Sequence, residues 1–243
     1  MDALTQMKSP LDLVVVMPAY NEEACLRKVV NEWFIEIENW TEEFIFLALN
    51  DGSTDRTPDI LERLRKQYGQ RFVVRHEKNH GHGQTCVQGY RWALENNTPF
   101  VFQIDSDGQC DPQYFFRFWR RRFEYDVIYG NRIKRDDGWR RVAASRVLRT
   151  ALLMSTGVNC IDANVPYRLM RTEGLGNMLD RIPGDFFLAN VALAVLLRQA
   201  DGWRHGSIPI RFRERYGGEP SVPLSKFGTK ANELLAQLRT LSN

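Results

Sequence analysis

Phe100-Val101-Phe102-Gln103-Ile104 is a short apolar run that leads directly into Asp105-Ser106-Asp107-Gly108-Gln109. Its aromatic and β-branched residues predict a buried strand, and two carboxylates one residue apart follow the end of that strand. In open α/β sheets, ligands bind at the carboxyl ends of the strands. Mg²⁺ and Mn²⁺ prefer such oxygen ligands, so the segment indicates a cation site. The alternative is an acidic turn before a helix, because Asp111-Pro112 is typical of a helix cap.

Strand-like and helix-like segments alternate through the first half of the chain. The predicted strands are 11–17, 44–49, 72–74 and 100–104, and the predicted helices are 22–37, 54–68 and 84–95. Near-continuous apolar strands are typical of a sheet covered on both faces. The pattern therefore predicts an α/β fold with a mostly parallel central sheet flanked by helices. No linker precedes residue 212, so one domain is predicted over 1–223, followed by a C-terminal amphipathic helix over 224–243.

Composition excludes several classes of protein. The 243 residues are 43% hydrophobic and 26% charged, which is ordinary for a globular chain, and a net charge of +3 does not indicate nucleic-acid binding. The longest apolar run, 186–197, is interrupted by Asn190 and falls short of the roughly 18 residues that a membrane span needs. The N-terminus lacks the basic and apolar regions of a secretion signal. Four widely spaced cysteines indicate reduced thiols, so we expect a cytoplasmic protein.

Two further polar segments follow predicted strands. In 18–22, proline is expected to stop the strand, Asn21 to cap the next helix and Glu22 to favour its positive end. In 50–55, Asp51 is placed to accept hydrogen bonds from a nucleobase or a ribose, as acidic residues do after strands in dinucleotide-binding folds. For both segments, a helix start without a ligand is an equally good interpretation.

A third polar segment, Asn79-His80-Gly81-His82-Gly83-Gln84, precedes a predicted helix. Its glycines permit close approach of the backbone to a ligand, and the helix behind it offers free N–H groups. It matches neither a Walker loop nor a dinucleotide fingerprint. Each of the three segments is weak evidence alone. Together with Asp105 and Asp107 on one sheet edge, they indicate a ligand site.

In order and rough spacing these motifs resemble the family 2 inverting glycosyltransferases. The resemblance is carried by Pro18-Ala19-Tyr20-Asn21-Glu22, Asn50-Asp51-Gly52-Ser53-Thr54-Asp55, Asn79-x-Gly81-x-Gly83 and Asp105-Ser106-Asp107. Within that family the chain is most similar to the polyprenyl-phosphate (dolichol-phosphate) mannosyl- and glucosyltransferases. The later supporting motifs are Gly130-Asn131-Arg132, Asp162-Ala163-Asn164-Val165-Pro166-Tyr167-Arg168 and Ile208-Pro209-Ile210-x-Phe212-x-x-Arg215. The similarity implies a GT-A fold.

The resemblance also implies roles for the matching residues. Those implied to hold the nucleotide sugar are Pro18, Ala19, Tyr20, Glu22, Asp51, Gly83, Asp105 and Ser106. The implied ligands of a Mn²⁺ or Mg²⁺ ion are Asp105, Asp107 and Gln109. Asp107 is implied to be catalytic together with Arg132 and Arg215, whose planar, permanently charged side chains suit phosphate groups.

Two positions depart from the family pattern. Asn50 stands where relatives have the first aspartate of an acidic pair, which affects the expected preference for a base. Ala189-Asn190 stands where relatives usually have a glutamate, which affects the expected recognition of the acceptor.

The implied reaction is a single displacement at the anomeric carbon with inversion. A phosphate acceptor is already ionised and needs no general base, whereas a hydroxyl acceptor usually does. Asp185, after Pro183-Gly184, is the candidate base in the acceptor region and is counted with the catalytic residues. The alternative interpretation of Asp185 is a helix cap before Phe186.

Two segments bear on membrane binding. From Arg132 to Arg149, basic residues alternate with apolar ones, as in an amphipathic helix on anionic lipid. From Leu224 to Leu241, apolar residues recur at helical spacing. Packing on the domain is the alternative for both segments. We expect a peripheral enzyme on the inner face of the cytoplasmic membrane, with an anionic membrane surface as a partner.

The sequence therefore predicts a metal-dependent inverting glycosyltransferase that moves a hexose from a UDP- or GDP-sugar to a polyprenyl phosphate. One alternative keeps the donor chemistry and gives it a saccharide or small-molecule hydroxyl acceptor. Another is a nucleotide-sugar-binding protein without turnover. Nucleic acid is not expected as a partner, because the basic stretch carries no recognised binding motif.

Overall fold

A seven-stranded sheet forms the centre of the protein. The structure is a computed structural model that describes residues 11–134, 149–150, 152–160, 163–186, 188–217 and 231–241. Its strands are β1 (Leu13–Ala19), β2 (Phe44–Asp51), β3 (Phe72–Glu77), β4 (Phe100–Gln103), β5 (Val127–Lys134), β6 (Arg168–Arg171) and β7 (His205–Arg211). Their order across the sheet is β3-β2-β1-β4-β6-β5-β7. Only β6 runs antiparallel to its neighbours among these strands, so the predicted mostly parallel sheet is confirmed.

Helices flank this sheet. They are α1 (Leu26–Glu38), α2 (Thr57–Tyr68), α3 (His82–Glu95), α4 (Phe115–Arg120), α5 (Leu175–Asp180), α6 (Ala189–Gln199) and α7 (Ala231–Thr240). Short 3₁₀ turns lie at Gly69–Arg71 and Pro112–Tyr114. Within the described part of the chain, no helix is both long and apolar enough to cross a bilayer.

The two faces of the sheet are covered by different helices. On one face, Trp33 of α1 packs against Phe102 of β4 with the ring centroids 5.7 Å apart. On the other face, a Cβ at Gly89 of α3 would lie 2.4 Å from a methyl carbon of Val16, so glycine permits the close contact of α3 with β1. Every residue of β1 and β2 is buried, as expected for strands covered on both faces.

The polar ends of the first elements differ from the predictions. Pro18 does not end the strand, since β1 continues to Ala19. The pairing of β1 with β4 ends at Val16, so no hydrogen bond to β4 requires an N–H at position 18. The prediction that Asn21 caps α1 is also wrong, since α1 begins at Leu26 without a side-chain cap. Asn21 instead has a φ of 54°, and its Oδ1 accepts a bond from the Thr54 backbone N–H.

The predicted cap at Asp111 is confirmed, because its Oδ1 accepts a hydrogen bond from the Gln113 backbone N–H at 3.0 Å. The predicted cap at Asp185 is wrong. Helix α6 begins only at Ala189 and has no side-chain cap.

The second half contains three strands that the sequence did not predict, β5 to β7. The helical residues of α7 lie inside the predicted segment 224–243, and Leu234, Leu238 and Leu241 are buried in the core. For these residues the packing alternative holds. The rest of that segment, 224–230 and 242–243, lies outside the described residues. So do residues 135–148, which make up most of the basic stretch 132–149. The division into a domain and a C-terminal helix remains a prediction.

Candidate functional site

The carboxyl ends of β1, β2, β4 and β5 lie on one edge of the sheet, because these strands run in the same direction. This edge carries the predicted polar segments that follow β1, β2 and β4. The loop at 79–81 joins them, since both oxygens of Asp51 accept backbone N–H bonds there, from His80 at 2.7 Å and from Gly81 at 3.0 Å. The structure therefore brings the predicted motifs of the first half together.

Asp105 is hydrogen-bonded to the first residue of α3. Its Oδ1 lies 2.8 Å from Nε2 of His82. Burial lowers the pKa of His82, but the nearby carboxylates of Asp105, Asp107 and Asp51 outweigh that effect and raise the pKa overall. The raised pKa favours the protonated imidazole, whose charge is opposite to that of the neighbouring carboxylates.

Asp107 is buried, with 8% of its surface exposed. Its Oδ1 accepts a hydrogen bond from the Gln109 backbone N–H at 3.0 Å, and its Oδ2 lies 3.3 Å from a guanidinium nitrogen of Arg215. Burial, reinforced by the charge of Asp105, raises the pKa of Asp107 to about 6. This carboxylate is therefore costly to ionise and favours the approach of positive charge.

Arg215 joins Asp107 to the predicted residue Glu22. Its Nη2 donates to Oε1 of Glu22 at 2.6 Å, and its Nε donates to the Gly217 carbonyl at 2.6 Å. Burial raises the pKa of Glu22, although Cys25 and Arg215 act in the opposite direction. The thiol of Cys25 donates to Oε2 of Glu22 at 3.2 Å. One arginine thus forms ion pairs with two buried carboxylates from distant parts of the chain.

The segment 213–217 packs directly on the loop between Asp105 and Gln109. Gly108 has a φ of +81°, and a Cβ at this position would lie 2.4 Å from the ring of Tyr216. The Tyr216 backbone N–H donates to the Asp107 carbonyl at 3.1 Å, and the Arg213 N–H donates to the Gln109 carbonyl at 2.9 Å. Glycine is required here both for its conformation and for the space that the ring occupies.

Arg213 anchors the segment 213–217 to Asp111 and to helix α1. Its guanidinium contacts Asp111 at 2.5 Å and Glu32 of α1 at 2.7 Å, and it also donates to the hydroxyl of Tyr216. The hydrogen bond to Arg213 lowers the pKa of Asp111 against the opposing effect of burial.

Asn50, the departure from the acidic pair, is buried and has internal partners. Its Oδ1 accepts from the Ser53 backbone N–H at 3.1 Å, and its Nδ2 lies 3.1 Å from Nδ1 of His76. Asn190, the departure on the acceptor side, lies with its Nδ2 3.4 Å from Nδ1 of His82 and its Oδ1 3.3 Å from the hydroxyl of Tyr90. Asn190 thus contacts the residue that holds Asp105.

The other predicted site residues lie on or near the same edge. Pro18, Ala19 and Ser106 are buried, and Tyr20 and Gln109 are partly exposed. Gly83 lies in the first turn of α3, where a Cβ would be 2.9 Å from the backbone nitrogen of Ala189; close packing of α3 on α6 therefore also requires glycine there.

Two predicted catalytic residues lie further along the sheet or outside it. Arg132 is near the end of β5, with its guanidinium carbon 5.0 Å from the ring centroid of Phe212. Asp185 is exposed, and its backbone carbonyl accepts a hydrogen bond from Gln237 at 3.2 Å. Within the described residues, no contact joins the Asp185 side chain to Asp105 or Asp107. Its role as a base remains a prediction.

The donor set suits a hard divalent cation that shares its coordination with a substrate. Among the described residues, no group of three or more His, Cys, Asp or Glu side chains is arranged to hold a metal ion. Two carboxylates, Asp105 and Asp107, lie at the end of β4. Mg²⁺-type sites commonly use one or two carboxylates and take their remaining ligands from phosphates and water.

The sequence identifies His82 and Asn190 without their contacts in the site, and it does not single out Tyr216. His82, Asn190 and Tyr216 contact Asp105, His82 and Gly108, respectively. The position of His82 at the start of α3 is visible in the sequence, but its contact depends on how α3 packs beside β4. The four cysteines are free, as predicted from their spacing, and all four are buried.

Comparison with known proteins gives the family. Residues 14–187 match the sequence profile described as glycosyl transferase family 2. An undecaprenyl-phosphate 4-deoxy-4-formamido-L-arabinose transferase from Edwardsiella ictaluri (strain 93-146) is 26% identical over 228 residues, 93% of this chain and 67% of the relative. A protein of the same name from Pseudomonas aeruginosa (strain UCBPP-PA14) is 31% identical over 174 residues, 70% of this chain and 50% of the relative.

Solved structures give the fold. Glucosyl-3-phosphoglycerate synthase from Mycobacterium tuberculosis, in complex with Mn²⁺, UDP-glucose and phosphoglyceric acid, superposes with a TM-score of 0.64 at 19% identity, covering 96% of this chain and 80% of that one. S. aureus TarS 1–349 superposes with a TM-score of 0.57 at 20% identity, covering 83% of this chain and 59% of that one. The predicted GT-A fold is confirmed. Since the family profile covers well over half of its residues, the chain belongs to glycosyl transferase family 2, and the predicted class of enzyme is confirmed.

Proposed function

We propose that this glycosyltransferase moves a hexose from a UDP- or GDP-sugar to a polyprenyl phosphate, with inversion at the anomeric carbon. The observation that carries the proposal is the pair Asp105 and Asp107 at the end of β4, beside Arg215 and the segments that follow β1 and β2. Named relatives act on undecaprenyl phosphate, which supports a lipid-phosphate acceptor.

Each residue of the edge has a part in the proposal. Asp105 and Asp107, with Gln109, would hold Mn²⁺ or Mg²⁺. The chemistry that a bound ion supplies is neutralisation of the charge that develops on the leaving nucleoside diphosphate. Arg215 and Arg132 would bind phosphate oxygens, and the segments 18–22 and 50–55 would bind the base and ribose. A solved structure with the same fold holds Mn²⁺ together with UDP-glucose, which is consistent with this donor chemistry.

A direct assay tests the proposal. Purified protein is mixed with radiolabelled UDP-glucose or GDP-mannose, Mn²⁺ and a polyprenyl phosphate, and label is counted in the organic phase. Transfer is expected with one of the donors, and Asp107→Asn is expected to abolish it with little change in fold. Asp59→Asn, an exposed carboxylate of α2, is the matched control and keeps full activity. Full activity of Asp107→Asn would remove the metal assignment.

A hydroxyl acceptor is the second candidate, and the exposed carboxylate of Asp185 favours it. A hydroxyl must lose a proton during attack, whereas a phosphate acceptor is already ionised. Asp185→Asn should therefore leave transfer to a polyprenyl phosphate unchanged and strongly slow transfer to a hydroxyl. A panel of both acceptors with this variant separates the two candidates.

The proposed site of action is the inner face of the cytoplasmic membrane. The support is the alternation of basic and apolar residues in 132–149 and the lipid named as the acceptor of relatives. Co-sedimentation with anionic liposomes at low salt, lost at high salt, is the expected result. Absence of binding at low salt would contradict peripheral association, and it would not test the proposed sugar donor.

A further inference from the structure

His82, the first residue of α3, contacts one of the two carboxylates at the end of β4. Its Nε2 lies 2.8 Å from Oδ1 of Asp105, and the two side chains are 37% and 28% exposed. In the described part of the chain, no residue donates a hydrogen bond to the other oxygen of Asp105, Oδ2. The protein therefore holds one oxygen of this carboxylate, and the second is available to a ligand.

The proton of this hydrogen bond belongs to His82 in both charge states of the ring. Nδ2 of Asn190 lies 3.4 Å from Nδ1 of the imidazole. An amide NH₂ group donates, so a neutral imidazole accepts it at Nδ1 and carries its own proton on Nε2. A protonated imidazole carries a proton on each nitrogen. Nε2–H therefore donates to Asp105 whether or not the ring is charged.

Close packing of α3 on α6 fixes the position of the ring. A Cβ at Gly83 would lie 2.9 Å from a backbone nitrogen of α6, so the two helices approach each other closely there. Next to it, the side-chain amide of Gln84 donates to the Pro183 carbonyl at 2.9 Å. These contacts bring Asn190, in the first turn of α6, beside His82.

Asn190 is itself held by residues of α3. It is 3% exposed, its Oδ1 lies 3.3 Å from the Tyr90 hydroxyl, and its Nδ2 lies 3.5 Å from Sγ of Cys86. The Tyr90 hydroxyl in turn donates to Gln103 of β4 at 2.5 Å. His82, Cys86 and Tyr90 follow one another at intervals of four residues, so they share one face of α3. Polar contacts therefore run from the ring of His82 back to the strand that leads to the carboxylates.

We propose that His82 is a positioning residue that fixes Asp105 for binding of the divalent cation, and that Asn190 fixes the ring of His82. This inference rests on the proposed function, in which Asp105 is a metal ligand. A hydrogen bond from the protein holds a ligating carboxylate in one orientation, and loss of such a partner typically lowers metal affinity about 10–100-fold. His82 acts through Asp105 and does not itself bind the cation.

A role in positioning and a role limited to charge predict effects of opposite sign. The carboxylates around His82 raise its pKa, so the ring places positive charge beside the proposed metal ligands. If charge were its whole contribution, removing the ring would strengthen cation binding, because like charges repel. Loss of a positioning contact weakens cation binding instead. The sign of the change therefore separates the two roles.

Calorimetric titration of the whole chain with UDP and, separately, GDP tests the inference. Each titration is run in Mn²⁺ and in EDTA, and the Kd in EDTA divided by the Kd in Mn²⁺ measures how far the metal strengthens nucleotide binding. His82→Leu should lower this ratio by at least about tenfold and leave the Kd in EDTA unchanged. His82→Gln should recover most of the loss, because its amide nitrogen can still donate to Asp105.

Two further variants complete the test. His205→Leu is the matched control, since His205 is a partly exposed histidine opposite Val127 at the other end of the sheet, and it should keep the wild-type ratio. Asn190→Leu should lower the ratio by less than His82→Leu does. It should cause no further loss in the His82→Leu background, because it acts through the ring. A further loss in that background would overturn the role assigned to Asn190.

The outcomes distinguish this inference from the proposed function. An unchanged or raised ratio in His82→Leu, when Asp107→Asn lowers it, would overturn the positioning role and leave the proposed function intact. If Mn²⁺ strengthened binding of neither nucleotide in the wild type, the metal assignment of the proposed function would fail, and this inference with it.

Discussion

Arg215 donates to Glu22 at 2.6 Å, although 193 positions of the chain separate the two residues. Glu22 is 4% exposed, and the same guanidinium lies 3.3 Å from Asp107. Removing one partner of a buried ion pair leaves an uncompensated buried charge, and this charge lowers the free energy of unfolding. Arg215→Met should therefore destabilise the protein by about 3 kcal/mol, and the double variant Arg215→Met with Glu22→Gln should recover a large part of that loss.

Denaturant unfolding of the four members of this cycle measures the coupling. Arg56 and Glu23 provide the control, since they form an ion pair at 3.2 Å with side chains 80% and 38% exposed. Arg56→Met should change stability by less than about 1 kcal/mol. If Arg215→Met cost no more than this control, the bridge would have no structural role.

Gly108→Ala is expected to impair both stability and activity. The new Cβ meets the ring of Tyr216 at 2.4 Å, and the φ of +81° is unfavourable for alanine. We expect a loss of about 3 kcal/mol, because the clash adds to the conformational cost. Gly202→Ala is the control: its φ is +77° with no atom within 4 Å of the new Cβ, so only about 1 kcal/mol is expected. Equal losses in the two variants would contradict close packing of Tyr216 on the loop.

Asp126 should contribute stability that depends on pH. It accepts hydrogen bonds from the Arg204 backbone N–H at 2.8 Å and side chain at 3.1 Å, and from Arg171 at 3.2 Å. The hydrogen bonds from Arg204 lower the pKa of Asp126 in the folded protein, despite the opposing effect of burial. Asp126 is therefore protonated at a higher pH in the unfolded chain than in the folded protein. Its contribution to the free energy of unfolding is complete above about pH 5.

As the pH falls through the folded pKa, the contribution is lost. Asp126→Asn should cost about 2 kcal/mol at pH 7 and progressively less below about pH 4. Unfolding at a series of pH values checks this, and transfer activity per folded molecule should not change, because Asp126 lies at the opposite end of β5 from the site. A constant difference across all pH values would contradict the charge-based account.

Tyr90→Phe should leave a buried acceptor without a partner. The Tyr90 hydroxyl donates to Oε1 of Gln103 at 2.5 Å, and both side chains are 0% exposed. We expect a loss of about 2 kcal/mol. Replacing both partners, Tyr90→Phe with Gln103→Met, should be milder than the single change, since the Gln103 amide is removed together with its donor. Calorimetry of the two variants tests this order, and a worse double variant would contradict it.

The first half of the fold could be predicted because its strands carry long apolar runs. β1 and β2 are buried throughout, and helices with regular apolar spacing separate them. β6 was missed because it has only four residues and includes Arg168. A buried arginine interrupts the apolar pattern from which a strand is predicted. β7 was missed because it carries Pro209 and alternates buried with exposed residues over a short length.

The carboxylates of the site could be predicted, but most of their partners could not. Asp105 and Asp107 follow a strand whose end is visible in the sequence. The contact of His82 with Asp105 depends on how α3 packs, and the contact of Tyr216 with Gly108 depends on where the chain returns after β7. Such long-range contacts leave no periodic signal in the sequence.

The return of 213–217 to the loop at 105–109 has a consequence for the order of folding during synthesis. Glu22, Asp107 and Asp111 emerge from the ribosome well before the two arginines that pair with them, Arg213 and Arg215. At an elongation rate of about 5–20 residues per second, the nascent sheet edge remains acidic and open for several seconds. Folding of this edge is therefore complete only once residues 213–217 have emerged.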